Sequence, residues 1–184
     1  MASRLLLAKA RELTQTGNSE ELRLLLDTCG DVARRDLLQK EFDHVLVVKR
    51  PNSSNEVRIE RPTLLVISVI GRQNTVTECL SSYGEGIDQH VKIWDPTTNR
   101  TTCGYSSPLI LASMLGKVEM VKSLVNNGAD IESTNSLGDN SLLEACFEGN
   151  YAVTEFLVQK RASVNKPNER GVTGMQTNLL LFCI

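Results

Sequence analysis

The apolar positions of this chain begin with helical spacing. Leu5, Leu6 and Leu13, then Leu22, Leu25 and Leu26, recur on one helix face, and Gly17-Asn18 interrupts the run. Two helices are therefore predicted within residues 4–28, the second opened by Ser19 as N-cap with Glu20 and Glu21 in its first turn. A further short helix is expected over Asp36 to Asp43. The period then changes to that of strands. Val45-Leu46-Val47-Val48 and Val57-Arg58-Ile59 flank Pro51-Asn52-Ser53-Ser54-Asn55, a run of turn formers, which predicts a hairpin. Helical spacing returns from Pro62-Thr63-Leu64 to Gly71, and again at Val76, Cys79 and Leu80. Residues Gly84 to Tyr105 break it with a predicted strand, Val91-Lys92-Ile93-Trp94, and a turn at Asp95-Pro96-Thr97-Thr98. Helix pairs are predicted once more at 106–126 and 139–160.

Those last two pairs superimpose with a fixed offset of 33 residues. Ser107-Pro108-Leu109, Ala112, Gly116, Leu124 and Ala129 return as Asn140-Ser141-Leu142, Ala145, Gly149, Leu157 and Ala162, and Thr173-Gly174-Met175 opens a third copy. Gly71 precedes Gly116 by 45 residues, which reads as one repeat plus a 12-residue insertion. The period, the T-P-L-like opening and the glycine after the first helix resemble the ankyrin repeat. The expected fold is mainly α: an ankyrin-repeat solenoid of helix pairs with β-hairpin insertions. Residues 1–61 are read as a capping helix pair with an expanded insertion, 62–175 as repeats with the last truncated, and 176–184 as an unpaired apolar tail. Such units bury their apolar faces only by stacking, so a fragment or truncated product is expected.

Composition narrows the function classes. The 184 residues are 41% apolar with a net charge of -2 and no basic stripe, which argues against nucleic acid as the partner. The five cysteines are odd in number, with no C-x-x-C, so neither a disulfide framework nor a zinc site is indicated. Leu5-Leu6-Leu7 is followed by Lys9, Arg11 and Glu12, too short and charged a stretch for a signal peptide or membrane span. A reduced protein, cytoplasmic and also nuclear in range, is expected, with no membrane partner. His44 and His90 have no ligand at metal spacing, Gly84-Glu85-Gly86 is not a phosphate loop, and Cys146 reads as a packed thiol. No metal, cofactor or catalytic constellation is predicted, and the class expected is a non-enzymatic binding module.

Acids near the repeat edges are the candidate chemistry. Glu148 ends a first helix, where its charge opposes the helix dipole; Asp139 lies in the finger loop before that helix; Asp95 lies beside Trp94 in the long insertion. Fingers and first helices line the concave face of an ankyrin stack. Acids there with an aromatic wall suit a guanidinium group, by ion pairing and stacking. A family resemblance follows. Asn140-Ser141-Leu142-Leu143-Glu144-Ala145-Cys146-Phe147-Glu148-Gly149-Asn150 is similar to the T-P-L-R-A-A-C-F-D-G-H motif of the Fem family, ankyrin-repeat substrate receptors of cullin-RING ubiquitin ligases. Trp94-Asp95 resembles that family's F-D segment, and Gly171-Val172-Thr173-Gly174-Met175 its next repeat start. The resemblance implies recognition of protein or peptide substrates with a C-terminal arginine degron or another basic C-terminus. It puts Glu148 at the motif's aspartate, Asp95 at the finger aspartate and Asp139 where the family has a serine. The cullin-RING ligase would be reached only through C-terminal parts that this chain lacks. The alternative is a generic ankyrin scaffold or adaptor with an unrelated protein partner.

Overall fold

The computed structural model describes residues 2–50, 56–94 and 104–177. It opens with α1 (Ala2–Thr16), α2 (Ser19–Thr28) and α3 (Asp31–Gln39), followed by β1 (Val45–Lys49) and β2 (Glu56–Glu60). The pair α4 (Leu64–Ile70) and α5 (Asn74–Ser82) leads into β3 (Val91–Trp94) and β4 (Gly104–Ser106). Then come α6 (Pro108–Met114) with α7 (Val118–Asn126), α8 (Ser141–Phe147) with α9 (Tyr151–Gln159), and a 3-10 turn at Gly174–Gln176. The solenoid of helix pairs is the predicted one.

The inner helices α4, α6 and α8 start in the same way. The side chains of Thr63, Ser107 and Asn140 accept the backbone N–H three residues on, from Val66, Ile110 and Leu143. This satisfies a donor that a helix start leaves unpaired. The turn after the helix needs a left-handed residue, and Gly116 (φ 65) and Gly149 (φ 71) supply it. In the first pair that conformation falls to Arg72 (φ 59). Gly71 instead stays right-handed (φ -70) and corresponds to Leu115, each being the C-cap of its helix. The spacing read from Gly71 to Gly116 is therefore one residue too long, because the glycine landmark is displaced by one in the first pair.

The helices form two rows, α1, α4, α6 and α8 inside and α2, α5, α7 and α9 outside. One apolar core threads them, from Ala10, Leu13, Leu22 and Leu26 through Leu64, Leu109 and Leu124 to Leu142, Leu157 and Ala162. Two N-terminal details differ from the sequence reading. Asn18, not Ser19, caps α2, its Oδ1 accepting from Glu21 N at 3.2 Å. The helix expected over Asp36 to Asp43 begins earlier, at Asp31, because Gly30 (φ 80) turns the chain directly after α2.

The two insertions make one sheet. The strands run antiparallel in the order β1-β2-β3-β4, with Arg58 opposite Trp94, Ile59 opposite Ile93 and Glu60 opposite Lys92. Alternation turns Val57, Ile59, Val91 and Ile93 inward, with Leu46 and Val48, onto Val66 and Ile70 of α4 and Leu111, Met114 and Leu115 at α6. The sheet thus lies on the inner helices, where a second apolar core forms. A hairpin was expected in the second insertion, but its return strand β4 was not placed; three residues are too short to show a period. Its outer edge is tied to the next finger loop, where Tyr105 O accepts from Ser136 N at 3.1 Å and Tyr105 N donates to Ser136 Oγ at 2.6 Å.

Candidate functional site

The 33-residue offset that builds the stack also changes its inner surface. Leu111, Met114 and Leu115, which the sheet covers at α6, become Glu144, Phe147 and Glu148 at α8. The apolar seat of the sheet therefore gives way to an acid–aromatic–acid patch. Glu144 is buried, its Oε1 accepting from Asn135 Nδ2 at 2.9 Å. Phe147 is 44% exposed, and the guanidinium of Arg170 lies 5.8 Å from its ring centre. Glu148 is the C-cap of α8, at the negative end of the helix dipole, and is 7% exposed.

A buried carboxylate at that end of a helix needs a cation. Arg50 supplies one: its guanidinium donates to Glu148 Oε1. Arg50 follows β1 and shares the parity of Leu46 and Val48, so strand alternation aims it at the helices. The partner lies 98 residues away in sequence, beyond what any local pattern could reveal. Arg50, Glu144 and Phe147 were thus missed as site residues. Glu144 and Phe147 were detectable by comparing the two repeats position by position.

Asp139 and Trp94 face partners other than Glu148. Asp139 is 2% exposed, and its Oδ1 accepts from Asn168 Nδ2 at 2.6 Å, joining one finger loop to the next. Asn135 and Asn168, also 33 apart, shape these loops: each Oδ1 accepts two backbone N–H groups, from Leu137 and Asp139 or from Arg170 and Val172. Trp94 belongs to the opposite side of the sheet from the apolar core, where the Arg58 guanidinium sits 4.9 Å from its ring centre. Asp95 lies outside the described residues, as does the apolar run Leu179 to Ile184.

Elsewhere the chemistry is that of packing. Cys146 is buried with its Sγ 4.0 Å from Thr154 Oγ1, and burial pushes the Cys79 thiol up from its ordinary range. His90 is exposed, its ring nitrogens 3.1 Å from the carbonyl oxygens of Asp88 and Thr134. Among the described residues no three His, Cys, Asp or Glu side chains gather as a metal site requires, and no helix is long and apolar enough to cross a membrane. A cavity of about 820 Å³ opens between α1, α3 and the end of β2, lined by Leu7, Leu37, Lys40 and Arg61, away from α8.

Residues 66–168 match the family of ankyrin repeats in three copies, over more than half of the chain. The chain is similar to the E3 ubiquitin-protein ligase XBAT33 of Arabidopsis thaliana, 38% identical over 63 residues that cover 34% of this chain and 12% of that protein. A probable E3 ubiquitin-protein ligase of Oryza sativa subsp. japonica, XBOS33, is 33% identical over the same shares. A broader match, 27% identical over 149 residues, links 80% of this chain to 15% of the mouse ankyrin repeat and SAM domain-containing protein 6. The chain spans less than a fifth of the length of these relatives. Repeats of this kind bind protein partners, largely through the concave face that the inner helices and fingers line. This chain belongs to the ankyrin-repeat family.

Proposed function

We propose that the chain is a non-enzymatic substrate-recognition module of a cullin-RING ubiquitin ligase, of the Fem type, acting in the cytoplasm and the nucleus. Its proposed ligands are protein or peptide substrates that end in arginine, and its site is the inner surface of α8. The observation that carries this reading is that Glu148 already holds a guanidinium, that of Arg50. The Ala145-Cys146-Phe147-Glu148-Gly149 run supports the family, and the similarity of the repeats to two plant E3 ligases supports the pathway. In this reading Glu148 pairs with the terminal arginine and Phe147 covers its apolar stem. Asp139 acts indirectly, by holding the finger loops together. Trp94 belongs to the sheet side, so Phe147 takes the role of aromatic wall.

Titration of a fluorescent peptide ending in Arg, against the same peptide ending in Ala, tests the site. A charge-assisted hydrogen bond of about 1.5–3 kcal/mol predicts roughly ten- to a hundredfold preference for Arg. Glu148→Lys should abolish that preference, because it replaces the bond with repulsion. Equal binding of the two peptides to the native chain contradicts the reading. A second reading, a scaffold with an unrelated partner, is favoured by the breadth of the match to the mouse protein, which covers 80% of this chain. Affinity purification of proteins carrying these repeats separates the two. Cullin and RING subunits among the captured proteins support the ligase, and their absence supports the scaffold.

A further inference from the structure

We infer that Arg50 is a built-in competitor for the substrate's arginine: Arg50, at the end of β1, closes the α8 site, and an incoming peptide enters by displacing it. The inference rests on the proposed reading of Glu148 as the guanidinium site. Glu148 is 7% exposed and Arg50 19%, so the carboxylate that would receive a substrate is covered by the chain itself. The covering is built into the fold. At α6 the sheet covers the inner helix with apolar side chains, and at α8 the same strand parity delivers an arginine to an acid. Arg50 occupies Glu148 Oε1, so an incoming guanidinium reaches that oxygen by taking the place of Arg50.

The cover also lies at an edge of the sheet. β1 is an edge strand, paired only to β2 among the described residues. Its outward residues Val45 and Val47 are 53% and 54% exposed, while its inward residues Leu46 and Val48 are only partly buried. Peeling it back therefore sacrifices little apolar burial, the property of segments that open locally while the core stays closed. If the open form is populated at about 1–10%, a peptide that binds only that form binds roughly ten- to a hundredfold more weakly than to a permanently open site. A substrate with further contacts along the inner helices overcomes this. A lone arginine does not, and the competitor thereby sharpens selection.

The test uses the whole chain and the same pair of peptides, ending in Arg or Ala. Arg50→Ala should bind the Arg peptide about ten- to a hundredfold more tightly than the native chain, and the gain should vanish in Arg50→Ala/Glu148→Gln. Because Arg50→Ala leaves Glu148 without this partner and could destabilise the fold, the native chain is also followed by hydrogen exchange. There the Arg peptide should speed exchange of the β1 amides and the Ala peptide should not. Unchanged or weaker binding by Arg50→Ala, with Glu148-dependent binding by the native chain intact, overturns the competitor and leaves the site. So does unchanged or slowed β1 exchange with the peptide bound. Failure of both the native chain and Arg50→Ala to prefer the Arg peptide removes the guanidinium site, and the competitor with it.

Discussion

Two carboxylates of similar burial do different work. Asp139, 2% exposed, is answered by a neutral amide, Asn168 Nδ2 at 2.6 Å, and so joins two finger loops. Glu148, 7% exposed, is answered by a guanidinium. Asp139→Ala should therefore lower stability by about 1.5–3 kcal/mol, the range for hydrogen bonds to charged groups. Asp139→Asn, which keeps an acceptor, should cost less, about 0.5–1.5 kcal/mol. Chemical denaturation checks both, and equal stabilities for native and Asp139→Ala chains would show the contact to be idle. Gly138 sets the geometry of the same loop. Its φ is +75°, and a Cβ there would come within 2.9 Å of Glu169 N, so alanine fits neither the backbone nor the space. Asp139 could be singled out in the sequence as an acid in a finger loop. Its partner is in the next repeat, and only the stacked fold reveals that the acid faces inward.

At the scale of elements, the helix pairs, the first hairpin and β3 were legible, and the joining of the two insertions into one sheet was not. Seven-residue inner helices announce themselves through Thr63, Ser107 and Asn140 as caps, the last two at the 33-residue interval. The sheet joins β2 to β3 across the whole of α4 and α5, a pairing with no local signature. Its docking on α6 makes a prediction. Leu111, 1% exposed beneath the sheet, should cost about 2–5 kcal/mol on replacement by Ala, and β2 and β3 amides should exchange faster while α9 is unaffected. Uniform loss of protection instead would mean that sheet and stack open together.

The foot of the first hairpin should also respond to acid. His44 accepts the Arg61 N–H through its backbone and stacks edge-on against Phe42, with ring centres 6.1 Å apart. Burial, and then the nearby Arg11 charge, holds its imidazole below the ordinary range, with Asp43 opposing. The folded chain therefore binds the proton less readily than the unfolded chain. Stability is full above the unfolded pKa, about 6.5, and falls as pH drops through it. Melting curves at pH 7.5 and 5.5 should show this loss in the native chain and a smaller one in His44→Phe. An identical acid response in the two would assign it to other groups.

On the scale of the whole molecule, one repeated unit is used for two purposes. A continuous core from Ala10 to Ala162 runs through every helix pair and makes the stack. The inner surface of that stack changes character along its length, from the apolar seat of the sheet at α4 and α6 to the charged, aromatic patch at α8. Periodicity made the first purpose readable, since each repeat restates it. The second depends on departures from the repeat, Leu115 to Glu148 above all, and on Arg50, which belongs to no repeat. Glu148 was identified from its place at a helix end, but the arginine that covers it required the folded chain.

The Arg50 side chain reports directly on competition between it and a peptide's arginine for Glu148. The measurement is the Arg50 Nε–H resonance in the native chain, assigned with Arg50→Lys and followed as the Arg-ended peptide is added. With displacement it should move toward the shift and exchange rate of a solvent-exposed arginine in proportion to peptide bound, and stay in place with the Ala-ended peptide. A resonance that does not move while the Arg peptide saturates the chain would contradict the displacement of Arg50.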